Sequence, residues 1–226
     1  MNIAPKLASS VIEVGTRQEP NLEAIAQIKP DLIVGVKQRH ESIYQTLSAI
    51  AKTLLFDPYP IEATSQLAQM QQDFLDLAQA CQKTAQAESV LKTMQAAFGD
   101  AANIRAANLA GTSVVLCQFV PEFRLFTNNS MAVQILEQIG LKNLWQGKSE
   151  FAFNTVGVEA LASVESAHFL YIPQSEAQLQ QLQANPVWQS LEFVQQRTYS
   201  LGQDTWLFGG PLSAQVLVDR AIATLT

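Results

Sequence analysis

The chain has 226 residues, of which 48% are hydrophobic and 15% are charged, and its formal net charge is −6. A chain of this length can bury a core of its own, as one large domain or as two small lobes. No apolar run reaches the about 18 residues that a membrane-spanning helix needs, and scattered Lys and Arg residues in an acidic chain argue against a nucleic-acid binder. An acidic ligand would therefore need a local basic site.

The N-terminal part predicts an alternation of short helices and strands. Pro20-Asn21 is typical of a helix start and Lys29-Pro30 of its end. Residues 31–36 form an apolar run without alternation, which predicts a parallel strand buried on both faces. We expect an amphipathic helix over residues 40–52 and a second short strand over residues 53–56.

The middle of the chain, residues 62–109, has an almost wholly helical pattern. Apolar residues recur there at spacings of three and four, and Gln82-Lys83-Thr84 separates two helices. A helix from Thr84 to Asn108 would be roughly 37 Å long at about 1.5 Å per residue. We therefore expect an N-terminal lobe over residues 1–83, a linker helix over 84–109 that acts as a strut, and a C-terminal lobe over 110–226.

The last part of the chain predicts a second α/β unit, with strands and helices in alternation. The expected strands are 112–119, 124–127 and 168–172, and the expected helices are 131–139, 158–163, 175–183 and 211–225.

The residues that commonly carry catalysis or bind metals do not form a recognisable motif. There is no G-x-S-x-G sequence, no glycine-rich phosphate loop before a helix and no H-E-x-x-H sequence, so we predict no enzyme, no catalytic residue and no cofactor. His40 and His168 are the two histidines, too few for a multi-histidine metal site. Cys81 and Cys117 lack zinc spacing; we expect two buried free thiols, with a disulfide as the alternative.

Four short stretches, taken with the order of elements, carry a family resemblance. They are Thr16-Arg17-x-Glu19-Pro20-Asn21-Leu22-Glu23, Arg39-His40-Glu41-x-Ile43-Tyr44, Asn185-Pro186-Val187-Trp188 and Asp204-Thr205-Trp206. They resemble the substrate-binding proteins that deliver ferric siderophores to bacterial ABC importers, especially the hydroxamate and citrate-hydroxamate binders. The resemblance implies the class III periplasmic-binding-protein fold, in which two α/β lobes are joined by a long helix and the ligand lies in the cleft.

The resemblance also implies an incomplete first lobe. Members of the family begin with a strand, a helix and another strand before the Arg17 stretch, whereas about 13 residues precede that stretch here. We therefore expect the remaining strands to expose a sheet edge and an apolar face.

By resemblance, five residues bind the ligand, whose iron-coordinating oxygens suit guanidinium groups and whose organic shell suits aromatic rings. Arg17 lies in a turn before a helix, and Arg39 and His40 follow the carboxyl end of a strand, where ligands bind in open parallel sheets. His40 could donate a hydrogen bond to the ligand or cap the next helix. Arg124 at a strand mouth and Trp206 after a polar loop complete the set.

Two acidic residues resemble the pair that docks on arginines of the membrane permease. Glu23 and Glu159 each lie at a predicted helix start, one in each lobe. The helix dipole would stabilise an acid there without a partner, which is the structural alternative.

The resemblance thus implies a monomer that binds a ferric siderophore and hands it to an ABC permease, with no resident metal. The alternatives are a haem or cobalamin carrier of the same fold and a truncated remnant that does not transport. The implied location is the periplasm or the outer face of the membrane by a lipid anchor, although the first residues lack a charged-then-apolar signal pattern.

Overall fold

The computed structural model describes residues 7–59, 65–108, 111–120, 122–173 and 175–225. By its internal contacts the chain divides into an N-terminal unit, Asn2–Pro60, and a C-terminal unit, Ile61–Thr226. Both contain helices and strands, which confirms the α/β class. No helix in the described ranges is long and apolar enough to cross a membrane.

In the part of the N-terminal unit that the structure describes, short helices accompany a two-stranded parallel sheet. Its elements are α1 (Leu22–Ile28), β1 (Leu32–Val36), α2 (Lys37–His40), a 3₁₀ turn (Glu41–Ile43), α3 (Tyr44–Ile50) and β2 (Lys52–Phe56). The strands pair in parallel from Leu32 opposite Lys52 to Val36 opposite Phe56. Helix α1 begins as predicted, because the Asn21 side chain accepts a hydrogen bond from the Ala24 amide at 3.0 Å.

Strand β1 is not buried on both faces, so that prediction is wrong. Within the described residues β1 pairs only with β2, and Val34 at its centre is 49% exposed. Val11, Ile12 and Ile28 of the same unit are also exposed. The N-terminal unit therefore has an open apolar face, as expected for a lobe with few strands.

The C-terminal unit opens with two helices and continues as a mixed sheet. Its elements are α4 (Gln66–Ala80), α5 (Thr84–Asn108), β3 (Ser113–Val120), β4 (Glu122–Phe126), α6 (Met131–Gln138), β5 (Lys142–Asn143), β6 (Phe153–Val156), a 3₁₀ helix (Val158–Val164), β7 (His168–Pro173), α7 (Glu176–Gln183), α8 (Pro186–Ser190), α9 (Glu192–Gln196), β8 (Thr198–Ser200) and α10 (Pro211–Leu225). The strand order is β6-β4-β3-β7-β8, and β5 also pairs with β3.

The sheet of the C-terminal unit is covered on both faces. Val114 and Leu116 of β3 join a core with helices α5, α6 and α10, while Val115 and Cys117 join a second core with α8, α9 and the 3₁₀ helix. Residues 114–117 of β3 are apolar without alternation, as is usual for a parallel strand that is buried on both faces. Strands β3, β5, β7 and β8 pair in parallel, and β4 and β6 run antiparallel to their neighbours.

Helix α5 has the bounds that the periodicity predicts, but its packing differs from that of an isolated strut. Its Met94, Phe98 and Ala101 lie in the core of the C-terminal unit, as does Leu67 of α4. The contact boundary therefore falls at Pro60, before both helices, whereas the sequence places lobe boundaries at residues 83 and 109.

Both cysteines are free thiols, so the disulfide alternative is excluded. Cys117 lies on β3 and is fully buried, as expected. Cys81 is exposed, which corrects the expectation of two buried thiols. It is the C-terminal cap of α4, where the helix ends and the chain turns through Gln82 with a positive φ of 57°.

Candidate functional site

Arg17 lies at the tip of a closed turn, residues 14–20, which we call the Arg17 turn. The Asn21 amide donates to the Val14 carbonyl at 2.8 Å, and Gly15 forms an isolated antiparallel bridge with Pro20. Asn21 also caps helix α1. One asparagine therefore joins the turn to the helix start.

The interior of the Arg17 turn needs a glycine and a hydroxyl. Gly15 has a φ of +94°, and a Cβ there would lie 2.6 Å from the Glu19 carbonyl oxygen. The Thr16 hydroxyl accepts a hydrogen bond from the Glu19 amide at 3.0 Å. The Arg17 side chain is exposed, and its guanidinium has no hydrogen bond or ion pair with another residue in the described ranges. A defined backbone thus presents a cation without an internal partner.

His40 ties the Arg17 turn to the carboxyl end of β1. Its Nδ1 accepts a hydrogen bond from the Val36 amide at 2.9 Å, and its Nε2 lies 3.0 Å from the Arg17 carbonyl oxygen. Gly35 leaves room for the His40 ring, because a Cβ on Gly35 would lie 3.0 Å from His40 Nδ1 and 2.8 Å from Leu55 Cδ2. Both ring nitrogens are engaged, so a direct hydrogen bond to a ligand would have to replace one of them. His40 is the residue before the 3₁₀ turn, but its side chain makes no capping hydrogen bond to that turn, so the expected capping role is not found.

A cavity of about 360 Å³ lies within the N-terminal unit beside these residues. Arg17 and His40 are the ionisable residues in its lining. Most of the wall is apolar and includes Ile25, Leu32 and Val34. Arg39 is exposed on α2, one residue before His40, but it is not among the residues that line this cavity.

Arg124 is held in the C-terminal unit by an amide and an aromatic ring. On β4 it stands opposite Gln118 of β3 and Thr155 of β6. Its Nη1 donates to Gln118 Oε1 at 3.0 Å, and its guanidinium carbon lies 4.3 Å from the centre of the Phe153 ring. Its Nε is buried and has no hydrogen-bond partner among the described residues. The guanidinium plane is thereby fixed while part of its donor capacity is unused.

Trp206 belongs to the same group of side chains, which we call the aromatic cluster: Phe126, Phe153, Trp206 and Phe208. The ring centres of Trp206 and Phe208 are 5.5 Å apart, and those of Phe208 and Phe153 are 6.4 Å apart, both edge to face. Trp206 is half-buried in the loop between β8 and α10. The structure thus connects Arg124 to Trp206 through Phe153 and Phe208.

Sequence reasoning missed Gln118, Phe208 and Gly209 as parts of this site. A Cβ on Gly209 would collide with the Ser213 side chain and would also lie 2.9 Å from Trp206 Cδ1, so the glycine leaves room for both side chains. The two-residue spacing of Trp206 and Phe208 was the available signal for the second ring. Nothing in the sequence indicated that Gln118 faces Arg124.

Glu23 and Glu159 are exposed in the first turns of their helices, as predicted. Glu23 lies in α1 and Glu159 in the 3₁₀ helix after β6. Neither forms an ion pair with another described residue. Elsewhere in the described ranges, no group of three or more His, Cys, Asp or Glu side chains is placed to hold a metal ion.

The model of the family described as periplasmic binding protein matches residues 2–204. The chain is 30% identical over 210 residues to the Fe(3+)-citrate-binding protein YfmC of Bacillus subtilis strain 168, covering 89% of this chain and 64% of YfmC. It is 28% identical over 229 residues to the iron(3+)-hydroxamate-binding protein FhuD of Escherichia coli K12, covering 96% of this chain and 75% of FhuD.

A solved structure is similar over nearly the whole chain. It is the siderophore-binding protein FhuD of Vibrio cholerae bound to Fe3+-Desferal, with a TM-score of 0.88 and 28% identity. The match covers 98% of this chain and 84% of that one. The similarity confirms the class III binding-protein fold, although the chain spans less than two thirds of the length of YfmC.

Proposed function

Because the chain belongs to the periplasmic binding protein family, we propose that it binds a ferric siderophore of the hydroxamate or citrate-hydroxamate type and delivers it to an ABC permease for iron uptake. The printed names of its relatives describe binders of ferric citrate, ferric hydroxamate and Fe3+-Desferal. The role is one of binding, and no residue is assigned to catalysis.

The observation that carries the proposal is the pairing of Arg124 with the aromatic cluster. A ferric hydroxamate presents oxygens that carry negative charge around the iron and an apolar organic shell. A guanidinium held in place by Gln118 and Phe153 suits the oxygens, and the half-buried Trp206 suits the shell. The protein need not contact the iron, so a metal site of its own is not required.

In the N-terminal unit, Arg17 and Arg39 supply the remaining charge. Both side chains are exposed, and the described residues give neither guanidinium an ion-pair partner. An acidic protein with a net charge of −6 needs such local cations to bind an anionic complex. Arg17, Arg39, His40, Arg124 and Trp206 are therefore proposed to form the binding site, His40 through its hydrogen bond to the Arg17 turn and the other four by contact with the ligand.

Glu23 and Glu159 are the proposed contacts with the permease. Each is an exposed carboxylate with no described ion-pair partner at a helix start, so each is available to an arginine of another protein. The proposed setting is extracytoplasmic, in the periplasm or at a membrane anchor, with the protein acting as a monomer.

Quenching of tryptophan fluorescence by ferric siderophores tests the function. Ferric schizokinen, ferric aerobactin, ferrichrome, a ferric catecholate and haem would be titrated into the purified chain, with the iron-free siderophores as controls. We expect saturable quenching by a hydroxamate at sub-micromolar concentration, which corresponds to about −8 kcal/mol or better. A folded chain that none of the hydroxamates quench contradicts the proposal, and saturation by haem with a Soret band would identify a haem carrier instead.

Two substitutions connect the binding to the proposed site. Arg17→Ala and Trp206→Ala should each weaken the binding of the hydroxamate that quenches the wild type, because each removes a group proposed to contact it. Trp145→Phe is the matched control, since Trp145 donates its Nε1 to Asn154 and lies outside the aromatic cluster. Unchanged affinity in both alanine variants would rule out these residues as the site.

A further inference from the structure

We propose that His40 is a positioning residue for Arg17, and that only its neutral form holds the Arg17 turn in place for ligand binding. This inference rests on the proposed function, because it concerns the affinity of the same site. It assigns His40 an effect that is transmitted through another residue rather than by contact with the siderophore.

The two hydrogen bonds of the ring define one protonation state. The Val36 amide can only donate, so Nδ1 must carry a lone pair. The Arg17 carbonyl can only accept, so Nε2 must carry the proton. The neutral Nε2–H tautomer satisfies both contacts at once. It links the carboxyl end of β1 to the Arg17 carbonyl, 23 residues before His40 in the chain.

Protonation removes one of these contacts. The imidazolium carries N–H groups on both nitrogens, so Nδ1 would face the Val36 N–H as donor against donor. The ring must then move, and Gly35 limits where it can go, because a Cβ added to Gly35 would lie only 3.0 Å from His40 Nδ1. The hydrogen bond to the Arg17 carbonyl would be lost with that movement. Lower pH should therefore release the Arg17 turn.

The charged neighbours of His40 come from every element that packs on it. Arg17 and Glu19 belong to the turn, Lys37 and Arg39 to α2 and Glu41 to the 3₁₀ turn, and Asp57 follows β2 at the end where Phe56 pairs with Val36. Lys52 is at the opposite end of β2, across from Leu32. The Asp57 Oδ2 atom is 4.0 Å from Lys37 Nζ, so the Asp57 carboxylate offsets the positive charge of Lys37. Arg17 is the other ionisable residue in the lining of the cavity beside His40.

The tautomer can be observed without any ligand. Long-range ¹H–¹⁵N spectra report which ring nitrogen is protonated, and His168→Gln assigns the signals because the chain has two histidines. We expect the Nε2–H pattern for His40 at pH 8 and signal changes in the Arg17 turn when the ring is protonated. An Nδ1–H pattern at pH 8, or protonation with no change in the turn, would overturn the inference.

Two substitutions separate the two hydrogen bonds. In His40→Asn the amide oxygen can replace Nδ1 at Val36, but the side chain is too short to reach the Arg17 carbonyl. In His40→Gln the longer amide can donate to that carbonyl and has no proton to gain in this pH range. We expect His40→Asn to bind the siderophore about fivefold to tenfold more weakly at pH 8, as for one lost hydrogen bond, and His40→Gln to recover most of the affinity.

The pH dependence of the siderophore affinity distinguishes this role from a purely structural one. Dividing the wild-type Kd by the His40→Gln Kd at each pH removes any pH dependence that comes from the siderophore itself. We expect this ratio to rise about fivefold between pH 8 and pH 5.5. A ratio that stays constant, or a His40→Asn variant that binds like the wild type, would overturn the inference. If the wild type binds no siderophore at all, the proposed function fails instead, and the tautomer measurement still tests the contact.

Discussion

The guanidinium carbon of Arg124 lies 4.3 Å from the centre of the Phe153 ring, so a charged group of the candidate site is stacked on an aromatic face. Gln118 fixes the same guanidinium from the other side by accepting from Nη1. The two contacts come from the neighbouring strands β6 and β3, which flank β4 in the sheet. Arg124 is therefore held in one orientation before a ligand arrives. Binding then costs less side-chain conformational entropy.

Phe153→Leu should weaken siderophore binding by about 0.5–2 kcal/mol, the range for cation–π contacts from exposed to desolvated. The leucine keeps an apolar side chain but removes the ring face under Arg124. Phe123→Leu is the matched control, because Phe123 is on the same strand pair and packs in the other core, 5.7 Å from Trp188. Titration of both variants should show reduced affinity only for Phe153→Leu. Equal affinities in the two variants would show that the stacking does not contribute.

Gly35→Ala should destabilise the N-terminal unit by about 1–3 kcal/mol, as overpacking of a tight site does. The added Cβ would lie 2.8 Å from Leu55 Cδ2 and 3.0 Å from His40 Nδ1. Gly99→Ala is the control, since no atom lies within 4 Å of its added Cβ on helix α5. That variant should gain about 0.5–1 kcal/mol from helix propensity. Thermal unfolding followed by circular dichroism measures both, and a neutral Gly35→Ala would contradict the close packing of His40.

Long elements were predictable from the sequence because their signals are local. Helices α5 and α10 have the bounds expected from apolar periodicity and, for α10, from Pro211 at its start. Strands β5 and β8, with two and three residues, have no period to detect. The expectation for β1 failed because an apolar run does not reveal how many neighbours a strand has.

The candidate site was predictable only residue by residue. Motif resemblance indicated Arg17, Arg124 and Trp206, but not what holds them. The contact of His40 with the Arg17 carbonyl joins residues that are 23 positions apart. The contact of Arg124 with Gln118 depends on the register of an antiparallel pair. Such contacts follow from tertiary packing, which local sequence patterns do not encode.

The two cysteines should differ in reactivity because of their burial. Cys81 is exposed, whereas Cys117 is buried at 0% exposure. Burial raises the pKa of the Cys117 thiol far above its usual range. Ellman's reagent should therefore titrate one thiol per chain in the native protein and two after unfolding in guanidinium. Cys81→Ser should abolish the native reaction, and rapid labelling of a native Cys81→Ser variant would contradict the buried position of Cys117.

Cys117 should also make the protein less stable at alkaline pH. In the folded chain the raised pKa keeps the thiol protonated, whereas in the unfolded chain the thiol ionises above about pH 8.5. The folded state then binds more protons, so the free energy of unfolding falls by up to about 1.4 kcal/mol per pH unit as pH rises above that value. Denaturant unfolding at pH 7.5 to 10 measures the slope. Cys117→Ala is less stable at every pH but should lack this component, and identical slopes would refute it.

The open apolar face of the N-terminal unit should bind a hydrophobic dye in the native state. Val34, at the centre of β1, is 49% exposed and lines the cavity beside Arg17. Val34→Thr keeps the β-branched shape and adds a hydroxyl that water can satisfy, so native dye fluorescence should fall with a change in stability within about 0.5 kcal/mol. Val115→Thr is the control, because Val115 is fully buried on β3 and a hydroxyl there has to be desolvated. That variant should lose about 1–3 kcal/mol of stability without lowering dye binding to the native protein. Dye fluorescence that is the same for Val34→Thr and the wild type would show that this face is not the one that the dye recognises.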